Sequence, residues 1–127
     1  MGWGIGKGKA YKGQGYDVKA FTKKIAALGR KGNWQAALHT FDEMQQNSIW
    51  PDVISYSAAI SACEKGGHTA KALELFDEMK QNRVWPDVIS YSAAISACEK
   101  GGQTAKALEL LDEMKQCRIW PNVISYN

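Results

Sequence analysis

Apolar side chains fall along this chain in short stripes of helical spacing, and the stripes recur every 35 residues. Tyr56, Ile60 and Cys63 stand at i, i+4 and i+7, which places them on one face of a helix. Lys65-Gly66-Gly67 then predicts its end, since glycine suits the left-handed position that closes a helix. A second helix is predicted from about Thr69, with Ala72, Leu73, Phe76 and Met79 as its apolar stripe and Glu74, Asp77 and Lys80 on the opposite side. Trp85-Pro86-Asp87 stops it, because proline has no amide donor and pushes the preceding residue out of helical geometry.

The same passage is written again, almost unchanged. WPDVISYSAAISACEKGG at 50–67 returns at 85–102, and WPNVISYN opens a further copy at 120–127. A more divergent copy, ending in AALHTFDEMQQNSIWPD, occupies the preceding register. Three full units result, 18–52, 53–87 and 88–122, with 123–127 starting a fourth, each unit a helix–turn–helix. One helix pair cannot bury its stripe alone, so consecutive pairs are expected to stack. The expected fold is all-α, a solenoid of stacked hairpins. Solenoids cover their terminal faces with caps; none is legible after the third unit, so either further units or a partner is expected there.

Composition narrows the classes of function. Hydrophobic residues make up 45% and charged residues 23%, ordinary for a globular chain, and no apolar run approaches the roughly 18 residues needed to span a bilayer. The formal charge of +3 has a location: Lys7, Lys9 and Lys12 lie in residues 1–16, which hold no acid, so residues 17–127 sum to zero. The arm, residues 1–17, is basic and rich in glycine and reads as a flexible linker or as an arm that grips RNA or threads into a partner. It lacks the Arg and Ser content and the amphipathic pattern of an organelle transit peptide. Its glycines follow no predicted strand and no GK[ST] follows them at phosphate-loop spacing. Cys63, Cys98 and Cys117 are odd in number and form no CxxC, which argues against a disulfide framework and for a reducing compartment. Cys63 and Cys98 read as core residues, and His39 and His68 have no second ligand at metal spacing. Asp42-Glu43, Asp77-Glu78 and Asp112-Glu113 read as solvated helix faces, since adjacent helical positions do not face one another. No catalytic set, metal or cofactor site is expected.

The VISYSAAISACEKGG…AKALELFDEM…WPD pattern resembles the pentatricopeptide-repeat family, with Tyr early in the first helix, Cys and Gly at its end, an F-x-EM-like core and a closing Pro-Asp. Its 35-residue period separates it from the 34-residue tetratricopeptide unit, and the resemblance covers residues 18–127. It implies a right-handed α-solenoid whose first helices line the concave side and which reads single-stranded RNA one base per unit, in a mitochondrion or plastid. The fifth and last residues of each unit would select the base: Thr22 with Asp52, Ser57 with Asp87, Ser92 with Asn122. In that family a hydroxyl with Asp goes with guanine and with Asn goes with adenine, so the implied triplet is 5′-GGA-3′; the logic is hydrogen-bond matching to a Watson–Crick edge. The second residues, Lys19, Ile54 and Ile89, would bracket the bases, with Lys19 departing from the apolar pattern. The thirteenth, Arg30, Lys65 and Lys100, would meet phosphates.

Structural roles stand beside these. Asp52, Asp87 and Asn122 suit helix N-caps, and Arg30, Lys65 and Lys100 suit helix C-termini. Trp50, Trp85 and Trp120 depart from the family pattern and are expected to pack against neighbouring units; the other reading is a ladder of aromatics that docks a protein. The neutral array, the Trp ladder and the arm also fit a scaffold subunit seated on a large organellar assembly such as a ribosome or a membrane complex.

Overall fold

The computed structural model describes residues 18–117. The arm, Trp120, Asn122 and the opening of a fourth unit lie outside the described residues. Six helices of thirteen residues follow one another: α1 (Val18–Arg30), α2 (Trp34–Gln46), α3 (Val53–Lys65), α4 (Thr69–Gln81), α5 (Val88–Lys100) and α6 (Thr104–Gln116). First helices therefore begin at residues 18, 53 and 88, one 35-residue period apart.

Local chemistry sets the ends. Asp52 and Asp87 cap α3 and α5; each carboxylate accepts from the backbone N–H three residues on (Ser55 at 2.9 Å, Ser90 at 3.0 Å), and each serine hydroxyl returns a bond to the cap N–H. Such a reciprocal cap contributes about 1 kcal/mol. At the other end Gly32, Gly67 and Gly102 take φ near +80°, the left-handed turn that lets Asn33, His68 and Gln103 donate back to Leu28, Cys63 and Cys98. Second helices turn the same way at Ser48 and Arg83, with φ of 61° and 62°, where a side chain makes the conformation costly.

Stacking is asymmetric. Successive first helices pack directly on one another (α1 on α3, α3 on α5), and each second helix packs on the first helix of the next unit, but among the described residues the backbones of successive second helices stay apart, with α4 and α6 joined only by long side chains such as Lys80 and Glu113. The chain therefore closes up on the side of α1, α3 and α5 and opens on the side of α2, α4 and α6. Small residues permit the close side. A Cβ at Gly29 would stand 3.0 Å from the Ala62 Cβ, and one at Gly66 would meet the Trp34 ring. Trp34 also lies against His68, with ring centroids 3.6 Å apart, and in the next unit the Thr69 hydroxyl donates to the Ala97 carbonyl at 2.8 Å.

The core runs through the stack. Phe41 meets Tyr56 edge-on at 5.1 Å, and one period later Phe76 meets Tyr91 at 5.0 Å, so each junction is keyed by the same aromatic pair. Cys63 and Cys98 are buried, and burial pushes the Cys63 thiol up to about 11. Leu75 is buried and belongs to the α4 core, whereas Leu73 is only partly covered.

Three expectations from the sequence change. Trp50 and Trp85 do not pack into the neighbouring unit; they are 68% and 69% exposed, because the Pro that follows each is the residue that turns inward and is buried. Glu78 and Glu113 are not simply solvated. Tyr56 donates to Glu78 at 3.0 Å and accepts from Asn82 at 2.9 Å, and Tyr91 donates to Glu113 at 2.7 Å, since each phenol is buried on the first helix and its hydroxyl reaches the end of the second. Lys80, expected on the solvent side of α4, is half-buried and pairs with Glu113 at 2.6 Å. Burial pushes the Tyr56 phenol up to about 12, and burial together with the Glu113 carboxylate pushes Tyr91 up as well. Burial by itself would raise the Glu113 carboxyl, but hydrogen bonds from Lys80 and Tyr91 outweigh it and hold the group below its ordinary range.

Candidate functional site

The close-packed side carries a groove of about 330 Å³ walled by α1, α3 and the start of α5. Its floor is small: Ala26, Gly29, Ala58, Ser61 and Ala62. Around that floor stand Thr22, Ser57 and Asp87, with Ile54 and Ile89 at the flanks and Arg30 and Lys65 at one end. Ile54 and Ile89 are 60% and 59% exposed, unusual for isoleucine on a packed helix, so their apolar surface is available to a ligand lying between them. The volume is at the low end of the roughly 300–1,000 Å³ typical of small-ligand pockets.

Seven of the residues singled out in the sequence thus meet at one place. The others do not join it. Asp52 is exposed and engaged as the cap of α3, and Lys19 is exposed on α1, outside the groove lining. Ser92 is exposed and lines a separate shallow depression with Ile95, Ser96 and Glu99. Lys100 Nζ is paired with the Glu64 carboxylate across the α3–α5 junction, and the same carboxylate accepts from Ser96 Oγ at 3.1 Å. Burial alone would raise the Glu64 carboxyl, but the Lys100 and Ser96 hydrogen bonds lower it further than burial lifts it.

The cations are therefore not equivalent. One period before Glu64 the chain has Gly29, so the carboxylate that engages Lys100 has no counterpart at the α1–α3 junction. Lys65 bonds instead to Ser61 Oγ on its own helix at 3.1 Å, and among the described residues neither Lys65 nor Arg30 forms an ion pair. Of the three cations at the thirteenth place, the two without an ion pair, Arg30 and Lys65, both line the groove.

The hydroxyls differ as well. Ser57 is only 4% exposed, and its Oγ lies 2.7 Å from Ser90 Oγ, which in turn donates to Asp87 Oδ1 at 2.9 Å. The fifth residue of the second unit and the last are thus joined through a third side chain. Thr22 holds the fifth place in the first unit, yet its Oγ1 is buried with no hydrogen-bond partner. A buried unsatisfied hydroxyl costs about 1–3 kcal/mol. Thr22→Val, nearly the same shape without the polar atom, is expected to leave the ligand-free protein unchanged or to stabilise it by about 1 kcal/mol in urea unfolding; a loss of 1 kcal/mol or more would show that the hydroxyl is satisfied in solution.

Ser90, Ser55, Glu64 and Gly29 were not singled out from the sequence. The serines have a signal there: Asp-x-x-Ser recurs at 52–55 and 87–90, the spacing of a helix cap whose side chain is also free to serve a neighbour. Glu64 has none, because its role depends on which residue of the next unit lies opposite.

The model for the PPR repeat family matches residues 17–65, 51–100 and 86–127. The chain belongs to the PPR repeat family. No curated protein gives a significant match. Among solved structures, the PPR array is similar to the pentatricopeptide repeat protein PPR10 in complex with an 18-nt psaJ RNA element, with a TM-score of 0.76 and 29% identity over 84% of this chain and 16% of that one. PPR10 from maize gives a TM-score of 0.75 and 29% identity over 84% of this chain and 15% of that one. The PPR array described here spans about a sixth of the length of that protein. Among the described residues no cluster of His, Cys, Asp and Glu could hold a metal ion, and no helix is long and apolar enough to cross a membrane.

Proposed function

We propose that this chain binds single-stranded RNA along the groove on α1, α3 and α5, one base per unit, with 5′-GGA-3′ as the preferred triplet. One observation carries the reading: Ser57 and Asp87 share a concave surface with Ile54 and Ile89 on either side and the unpaired cations Arg30 and Lys65 at its end. A base between the isoleucines would present its edge to the hydroxyl and the carboxylate while its phosphates lie toward the cations. The likeness to PPR10, solved in complex with an 18-nt psaJ RNA element, supports RNA as the ligand class.

Stacking onto protein groups is worth roughly 1–3 kcal/mol per base, so three units offer on the order of 3–9 kcal/mol before an ordering cost of about 4 kcal/mol or more. Affinity for an isolated triplet is therefore expected between roughly millimolar and micromolar. Titration of the whole chain at low salt with single-stranded RNA containing GGA, against a CCU control, tests the proposal: tighter binding of GGA is expected, and equal retention of both would remove it.

A second reading has its own observation. The exposed Trp50 and Trp85 line matching depressions one period apart, each shared with a Pro and a buried Tyr and distinct in lining from the groove. A scaffold role in a larger organellar assembly would use those depressions, and copurification with a defined multiprotein particle would support it.

A further inference from the structure

We infer that Ser90 is a specificity-determining positioning residue, which fixes the Ser57 hydroxyl as an acceptor and so makes the second unit select guanine over adenine. The inference rests on the base-reading function proposed above and gives it a mechanism.

A hydroxyl has one hydrogen and two lone pairs. Ser90 Oγ has three neighbours: the Asp87 backbone N–H at 3.1 Å, Asp87 Oδ1 at 2.9 Å and Ser57 Oγ at 2.7 Å. The N–H can only donate, so it takes one lone pair. The carboxylate can only accept, and a hydrogen bond to a charged oxygen is about twice as strong as one to a neutral oxygen, so the Ser90 hydrogen goes to Asp87. One lone pair on Ser90 remains, and only a donor can use it. Ser57 must therefore donate its single hydrogen to Ser90.

Consequences follow for the groove. With its hydrogen committed, Ser57 offers an incoming base nothing but lone pairs. Asp87 Oδ1 already receives both the Ser90 N–H and the Ser90 hydroxyl, which leaves Oδ2 as the acceptor open to a ligand. The second unit thus presents two acceptors and no donor. Among the four bases, guanine alone carries two adjacent donors on its Watson–Crick edge, the ring N1–H and the exocyclic amine. Adenine places the N1 lone pair beside its amine, and that lone pair would face another lone pair.

The first unit supplies an internal contrast. Ser55 makes the same bonds to Asp52 as Ser90 makes to Asp87, but no hydroxyl occupies its remaining lone pair, because Thr22 Oγ1 has no partner. The Thr22 hydrogen is uncommitted and can turn to donate or to accept. The first unit should consequently discriminate guanine from adenine far less than the second.

The test compares the whole chain with Ser90→Ala, Ser90→Thr and Thr22→Ser, titrated at low salt with short RNAs that carry G or A at the first or second place of the triplet; circular dichroism checks helix content. A matched pair of hydrogen bonds discriminates between bases by roughly ten-fold or more. The wild type is expected to favour G over A at the second place by about that factor. Ser90→Ala should bring the ratio to within about two-fold, and Ser90→Thr, which keeps the hydroxyl, should restore it. Thr22→Ser, able to reach Ser55 as Ser57 reaches Ser90, should raise the G-to-A ratio at the first place. A merely structural Ser90 would weaken both RNAs equally and leave the ratio alone; that result, or an unchanged first-place ratio in Thr22→Ser, overturns the inference while base reading survives. A wild type with no preference at the second place overturns the inference and base reading together.

Discussion

Phe76→Ala is expected to cost about 3–5 kcal/mol and to detach the third unit from the second. Phe76 is buried at the α4–α5 junction, where it meets the Tyr91 ring at 5.0 Å and 69° and lies under Lys80 Nζ at 4.9 Å. Truncating such a ring loses its transfer free energy and leaves a cavity, and the edge-to-face pair adds about 0.5–1.5 kcal/mol. In a stack held by nearest-neighbour contacts the loss is local. Amide hydrogen exchange should therefore quicken first in α5 and α6, and urea unfolding should broaden as the last hairpin leaves early. Leu111 occupies the equivalent place in the third unit, but it is only partly covered among the described residues. Leu111→Ala should cost less than half as much. Equal losses at the two sites would mean that the junction aromatic is not what couples the units.

Removing the groove cations is the second change expected to act strongly. Arg30→Met with Lys65→Met should flatten the salt dependence of RNA binding by about 1.4 in log–log slope, since each phosphate contact to a single strand contributes about 0.7. Between 50 and 200 mM salt that corresponds to roughly seven-fold of affinity no longer lost. Lys100→Met should change the slope little, because Glu64 already neutralises that ammonium. Glu64→Gln should steepen it by about 0.7, by releasing Lys100 to a phosphate while the amide still accepts from Ser96. The sequence treats the three cations as equivalent by position; the neighbours separate them. Equal slopes for the Lys65 and Lys100 variants would show that the ion pair with Glu64 does not withhold Lys100 in solution.

Which features could be read from the chain follows from how local their causes are. The ends of the first helices are legible because Gly67 and Gly102 supply the left-handed turn, whereas the second helices end at Gln46 and Gln81, five residues before Pro51 and Pro86, on the left-handed turns at Ser48 and Arg83 and not at the prolines. Buried stripes are legible from periodicity, but a 35-residue repeat tells which positions recur and not whether Leu73 or Leu75, on either side of Glu74, turns inward; the structure buries Leu75. The tryptophans were misjudged for a related reason: aromatic size favours burial, but the chain can bury only one residue of each Trp-Pro pair, and the proline takes the inner place. What the sequence could not supply was pairing between units. That Ser57 reaches Ser90, that Lys100 meets Glu64 and that Lys80 meets Glu113 are relations across 33 to 36 residues, fixed only when one hairpin lies against the next.

The aromatic keys at the two junctions are near duplicates, 5.1 Å and 67° at one, 5.0 Å and 69° at the other. A hairpin made this way has a socket on one flank and a plug on the other, cut to a common gauge. Copies can be inserted, removed or reordered without redesigning the joint, and gene duplication in whole 35-residue steps gives a ruler of any length. On the proposed reading Ser57 and Asp87 choose the base while tied through Ser90 into that same joint, so a new letter must also suit the fit between hairpins.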